Sequence, residues 1–156
     1  MNKIKYITGD LFEHIKDLPQ HILIPHVCNN LGKWNAGFTK SLSRNFPEAE
    51  IQYLQAKIYD RNFDLGQNIL VETSKNRLIV NMIAQKDVGT AKRRLKYNCL
   101  VYCMSNIAER VCYDREYEIH APMFGSGLSG GKWAFIEELI QDCWLDEGIS
   151  VTIYRL

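Results

Sequence analysis

HILIPHVCNNLGKWNAG, residues His21–Gly37, decides how this chain is read. Its first part, His21–Val27, is almost continuously apolar, as a strand buried on both faces of a sheet should be. Pro25 within it has no backbone N–H to give, so a bulge or a missing ladder bond is expected there. Cys28–Gly37 then gathers the turn formers Asn29, Asn30, Gly32 and Gly37. A helix opens near the end of this loop, with Phe38, Leu42 and Phe46 on one face. A buried strand that runs through a glycine loop into a helix is the repeating unit of a layered α/β domain.

The flanks extend that pattern. Lys3–Thr8 alternates as a strand and ends at Gly9-Asp10. A short helix is expected over Phe12–Asp17, stopped by Pro19. Pro47-Glu48 marks a new helix start, with Ile51, Leu54 and Ile58 as its expected apolar stripe. Strands follow at Asn68–Glu72 and Leu78–Ala84, joined by the turn-like Ser74-Lys75-Asn76. A long amphipathic helix is predicted from Ala91 to Val111, with Leu100, Met104, Ile107 and Val111 inward. Then come a strand at Tyr117–His120, a loop at Pro122–Gly131, a helix at Trp133–Asp142 and a last strand at Ser150–Tyr154. The alternation predicts a three-layer α/β/α domain around a mixed, largely parallel sheet. No repeat or linker interrupts it, so 1–156 reads as a single domain.

Composition narrows the function. Lys and Arg total 19 against 18 Asp and Glu, a net charge of +1, which excludes nucleic-acid binding through bulk charge. Lys86, Lys92, Arg93, Arg94 and Lys96, counted with Asp87, form a local patch of 5 − 1 = +4, which reads as a solvated helix start. No apolar run approaches the ~20 residues of a membrane helix, and Met1–Asp10 lacks an apolar leader core. A cytoplasmic monomer is expected. The five cysteines include no CxxC, and His14, His21, His26 and His120 form no HxxxH. Neither a metal nor a cofactor is expected.

Six of the ten glycines fall in two loops: Gly32 and Gly37 in the first, Gly125, Gly127, Gly130 and Gly131 in the second. Each loop follows a strand and precedes a helix, which places both at the carboxyl edge of a parallel sheet, where ligand crevices form. Glycine allows backbone N–H groups to converge, and a helix start adds a positive dipole end; together they suit phosphate. Neither loop is a Walker loop, since no Gly-Lys-Ser/Thr follows. The GxGxxG at Gly125–Gly130 lies too late in the chain for a Rossmann first turn.

The order of these motifs resembles the macrodomain family. Ile7-Thr8-Gly9-Asp10-Leu11, His26-Val27-Cys28-Asn29-Asn30, Gly32-Lys33-Trp34 with Gly37-Phe38, and Gly125-Ser126-Gly127-Leu128 carry the resemblance across nearly the whole chain. It is strongest to the branch that holds the yeast-type ADP-ribose 1″-phosphate phosphatase and the terminal ADP-ribose protein glycohydrolase, together with many bacterial and phage members. The resemblance implies ADP-ribose, or a derivative of it, as ligand. By position it puts Asp10 and Leu11 at the adenine. Asn29, Asn30, Gly32, Trp34, Ala36, Gly37 and Phe38 fall around the distal ribose and diphosphate. Phe124, Gly125, Ser126, Gly127, Leu128, Ser129 and Gly130 fall on the diphosphate, and Tyr154 beside the adenine.

The same resemblance bears on catalysis. Where the glycohydrolase carries a lysine nucleophile and a second-loop aspartate, this chain has Gln85 and Ser129. Neither Gln nor Ser there can form a Schiff base or act efficiently as acid or base. The phosphatase comparison implies His26 as general base with Asn30 beside it, and Asp87 as the next candidate. An imidazole base of ordinary pKa would lose activity below about pH 6. The resulting expectation is hydrolysis of ADP-ribose 1″-phosphate to ADP-ribose and phosphate. The alternatives are a non-catalytic reader of ADP-ribose or ADP-ribosylated protein, or an ADP-ribosyl-protein hydrolase that works without the lysine.

Overall fold

The computed structural model describes residues 2–34, 37–73, 76–114 and 117–156, the side chains of 111–114 excepted. Ala36, an expected ligand residue, and the side chain of Val111 lie outside the described residues. The elements in chain order are β1 (Lys5–Thr8), α1 (Leu11–Ile15), β2 (His21–Asn29), α2 (Phe38–Asn45), α3 (Glu48–Ile58), β3 (Asn68–Glu72), β4 (Arg77–Gln85), α4 (Tyr97–Asp114), β5 (Tyr117–Pro122), α5 (Trp133–Ile140) and β6 (Val151–Arg155). A π-helical turn, Gln141–Leu145, continues α5.

The strands form one sheet in the order β1-β6-β5-β2-β4-β3. Every neighbouring pair is parallel except β3 with β4. Two cores cover its faces. Leu11, Phe12, Ile15, Leu42, Phe46, Ala49 and Tyr53 from α1–α3 pack on Ile22, Ile24, Ile79 and Ile83. Leu100, Met104, Ile107, Ile136, Ile140 and Trp144 pack on Leu23, Val80, Met82, Ile119 and Ile153. This is the three-layer α/β/α arrangement with the expected mixed sheet.

Two local expectations need correction, and of the two outcomes expected at Pro25 the missing ladder bond is found and the bulge is not. Pro25 keeps its register with Val80, and the irregularity falls later, between Cys28 and Asn29. The ladder from β2 to β5 covers only His21–Leu23, so beyond it, where Pro25 has no N–H to donate, the two strands part. The stripe expected on α3 is also misplaced: Ile51 is 52% and Ile58 73% exposed. Of the stripe Leu54 alone packs against the core, partly buried, and Ala49, Tyr53 and Ala56 are the fully buried residues, two alanines letting the helix settle close to the sheet around Tyr53.

The long helix begins at Tyr97, not Ala91. Its predicted first turns are spent on tertiary hydrogen bonds. Lys86 N–H donates to Arg94 O at 2.9 Å and Lys96 N–H to Ala84 O at 2.8 Å, while Arg94 and Leu95 N–H both donate to Ser129 O at 2.9 and 3.0 Å. A helix over 91–96 would have to surrender them, and helix propensity of a few tenths of a kcal/mol per residue does not outweigh four such bonds.

Candidate functional site

Because β2, β4 and β5 run parallel, Asn29, Gln85 and Pro122 end at the same edge of the sheet. The gap opened beyond Leu23 becomes a cavity of about 560 Å³ there, lined by the ends of these strands and the loops that follow them. Both glycine loops contribute: Asn29, Lys33, Trp34, Gly37 and Phe38 from the first, Phe124, Gly125, Gly127, Leu128 and Ser129 from the second.

Asn29 organises the first loop. Its side-chain oxygen accepts from the N–H of Leu31 at 3.0 Å and of Lys33 at 3.1 Å, and its amide donates to Lys33 O at 2.8 Å. The hydroxyl of Tyr53, reaching up from α3, donates to Asn29 O at 2.6 Å. Trp34 is buried and donates from its indole N–H to Ser43 Oγ at 2.6 Å, which pins the loop to α2. Gly37 begins that helix with φ 58°, a conformation costly for other residues, and has no side chain to cap it. The start of α2, Gly37 and Phe38, therefore stands at the cavity wall, with no cap from Gly37 itself.

The second loop is closed by internal bonds: Gly131 N–H to Gly125 O at 2.8 Å, Gly130 N–H to Gly127 O at 3.1 Å and the Ser126 hydroxyl to Met123 O at 2.7 Å. Among the described residues no protein acceptor takes the N–H of Gly127, Leu128 or Ser129, and all three residues line the cavity. Backbone donors gathered without acceptors beside a helix start form a site for an anion. Gly127 itself does not adopt a positive φ, and space for a Cβ is open there. The demand for glycine falls on Gly125 and Gly130, with φ 78° and 79°, and on Gly131, where a Cβ would stand 2.5 Å from Gly125 O.

His26 lines the cavity but is 2% exposed. Its ring lies edge-on to Trp34 at 5.4 Å between centroids and tilted to Phe38 at 5.7 Å. Asn81 donates to Ala49 O at 3.1 Å, so its Oδ1 is left to accept, and His26 Nε2 lies 2.5 Å from it. Nε2 therefore carries a hydrogen, which it donates to Asn81. Burial pushes its pKa down to about 4, against the partial support of Asn81. An acid limb near pH 6, expected from an ordinary imidazole, does not belong to this group. Burial raises the neighbouring Cys28 thiol well above its usual range, which leaves it unreactive.

Gln85 and Ser129, from opposite sides of the gap, meet: the Ser129 hydroxyl donates to Gln85 Oε1. Gln85 also donates to Asp87 O at 2.9 Å, and Asp87 N–H donates to Asn30 Oδ1 at 2.8 Å. Two amide side chains thereby clamp both polar ends of Asp87, a non-glycine residue at φ 70°. No carboxylate is among the described lining residues; Asp87, just before Val88 at the rim, is the one next to it in the chain.

Several expected ligand residues stand outside the lining. Asp10 caps α1, accepting from Phe12 N–H at 2.9 Å, and Leu11 is buried in the α1–α3 core. The hydroxyl of Tyr154 lies between His120 Nδ1, 2.7 Å away, and His14 Nδ1, 2.9 Å away. Asn30 acts on Asp87, Gly32 packs on the Lys57 side chain, and Gly130 packs on the Arg93 backbone. Sequence reasoning missed Thr39, Val88, Gly89, Thr90, Pro122 and Met123 as wall residues. The available signal was that every parallel strand contributes its carboxyl end, β4 included.

No family model matches the sequence. The ADP-ribose 1″-phosphate phosphatase of Candida albicans is 23% identical over 146 residues, 89% of this chain and 92% of that protein. A Bacteroides thetaiotaomicron protein of known structure superposes with TM-score 0.90 at 28% identity, covering 99% of this chain and 100% of its own. A macrodomain protein from Streptomyces coelicolor superposes with TM-score 0.84 at 30% identity over 99% of both chains. Sharing that identity, that fold and that length from end to end, the chain belongs to the macrodomain family.

Proposed function

We propose that the cavity binds ADP-ribose and that the chain hydrolyses ADP-ribose 1″-phosphate to ADP-ribose and phosphate. The observation that carries this is the set of N–H groups at Gly127, Leu128 and Ser129, without acceptors among the described residues, on a cavity of about 560 Å³ whose wall also holds Gly37 and Phe38 at the start of α2. The phosphatase activity named for the Candida relative supports the reaction class. Water attacks phosphorus, the bond to the 1″ oxygen breaks, and the leaving oxygen takes a proton. The loop N–H groups stabilise the charge that builds on the phosphoryl oxygens.

A general base works best with a pKa near the working pH. His26, held near 4 and bonded to Asn81, is a poor one, so its role is to hold the wall beside Trp34 and Phe38. Asp87 is the better candidate on access: it is exposed beside Val88 at the rim, where water can reach its carboxylate, whereas His26 is buried. Asn30 and Gln85 act on it as positioning residues through its backbone. The Gln85–Ser129 bond also fills the place where a lysine nucleophile would stand, and closes the covalent glycohydrolase route.

The test is calorimetry with ADP-ribose beside phosphate release from ADP-ribose 1″-phosphate. Asp87→Asn should keep ADP-ribose affinity within a few-fold while phosphate release falls by about 10²–10⁴-fold. That no carboxylate is among the described lining residues favours a second reading, a reader that binds without turnover. Wild-type protein that binds the ester but releases no phosphate would establish it.

A further inference from the structure

We infer that Arg94 is a specificity residue for a second anionic group on the ligand, a terminal phosphate beyond the diphosphate, held at the Gly89–Thr90 wall of the cavity. This rests on the cavity's binding an ADP-ribose derivative. Lys33 is the only charged side chain among the described lining residues apart from the neutral-held His26 and Cys28, and it stands on the first-loop side. The opposite wall, Val88–Thr90, has no cation of its own, yet it is backed by one. The Arg94 guanidinium packs against Gly89: a Cβ built there would lie 3.5 Å from Nη2 and 3.9 Å from Nε. Gly89, at φ 111°, carries no side chain to screen it.

Arg94 differs from the other cations of this basic stretch. Lys86, Lys92 and Lys96 are exposed, and Arg93 is occupied over the Tyr97 ring at 4.3 Å. Arg94 is partly buried, and its Nε is fully buried without an acceptor among the described residues. A buried guanidinium N–H without a partner costs free energy and calls for a reason. Its backbone is fixed, donating to Ser129 O at 2.9 Å and accepting from Lys86 N–H at 2.9 Å, so the side chain hangs from a point tied to both the second loop and the wall. A planar fork of donors in that place matches a phosphate monoester. The stretch that looked like a solvated helix start thus includes one cation packed against a residue of the cavity wall.

The experiment measures affinity of wild type, Arg94→Gln and Arg94→Lys for ADP-ribose and for ADP-ribose 1″-phosphate, each at low and moderate salt. To keep the ester intact, the titrations are repeated in the Asp87→Asn background. Wild type should prefer the ester. Arg94→Gln should weaken ester binding by roughly 10- to 100-fold, the loss of a charged hydrogen-bond partner, and leave ADP-ribose within about two-fold; Arg94→Lys should recover part of the preference. Equal weakening of both ligands, or none, overturns the assignment. Wild type that binds ADP-ribose without preferring the ester overturns it while leaving the cavity reading intact. Wild type that binds neither ligand overturns both.

Discussion

His26→Gln tests the burial of the imidazole directly, through stability rather than activity. An unfolded histidine titrates near 6.5, whereas His26 in the folded chain is held near 4, chiefly because burial penalises the charged ring. The unfolded chain therefore takes up a proton more readily, and falling pH favours unfolding. The contribution of neutral His26 is complete above about pH 6.5 and is lost as pH drops from there through about 4. With those two values, linkage gives a loss of about 2 kcal/mol between pH 7 and pH 5. Glutamine can still donate to Asn81 Oδ1 but does not titrate. Urea unfolding of both proteins at pH 7 and pH 5 isolates the effect, because carboxylates and His120 contribute equally to each and cancel. Wild type should lose about 2 kcal/mol more than the variant over that interval. Parallel losses would mean that His26 titrates normally, and the reasons for discounting it as buried and non-catalytic would fall with that result.

Three further substitutions separate folding from binding. Gly127→Val, in open space at the cavity wall, should leave the melting temperature nearly unchanged yet cost at least about tenfold in ADP-ribose affinity by calorimetry, since its side chain intrudes where the diphosphate must approach. Gly131→Val, whose Cβ would meet Gly125 O and Leu95 at 2.5 Å, should instead lower stability by roughly 1–3 kcal/mol or more in urea. Asp10→Ala removes the cap of α1 and should cost about 1 kcal/mol of stability; ADP-ribose affinity unchanged in that variant would remove Asp10 from the ligand site.

What could be read from the sequence depended on whether the deciding partners were local. β2 and β4 declare themselves because six of the nine side chains in each are apolar, and the two glycine loops follow parallel strands, so the edge that holds the cavity was legible. The start of α4 was not. Residues 91–96 have good helix-forming composition, but their backbone is claimed by Ala84 and by Ser129, more than thirty residues on. No local window contains that acceptor. His26 is the instructive intermediate case. Strand side chains alternate, so Ile22, Ile24, His26 and Cys28 share one face. Three of these four lie in the α1–α3 core, which is where a histidine between Ile24 and Cys28 must also point. That period was in the sequence, and it argued against an open base at the loop mouth. The imidazole kept its chemical identity but not its ordinary pKa, because the face that carries it is packed by Trp34 and Phe38. By the same logic Gln85, at the end of β4, projects across the strand gap to Ser129. Lys86, one residue later, cannot take that place without a shift in register that would turn every apolar side chain of β4 to the wrong core. Packing throughout β4 thus fixes the register that keeps Lys86 out, the amine is missing because residue 85 is Gln, and a single Gln85→Lys change would supply it without the aspartate that the second loop lacks.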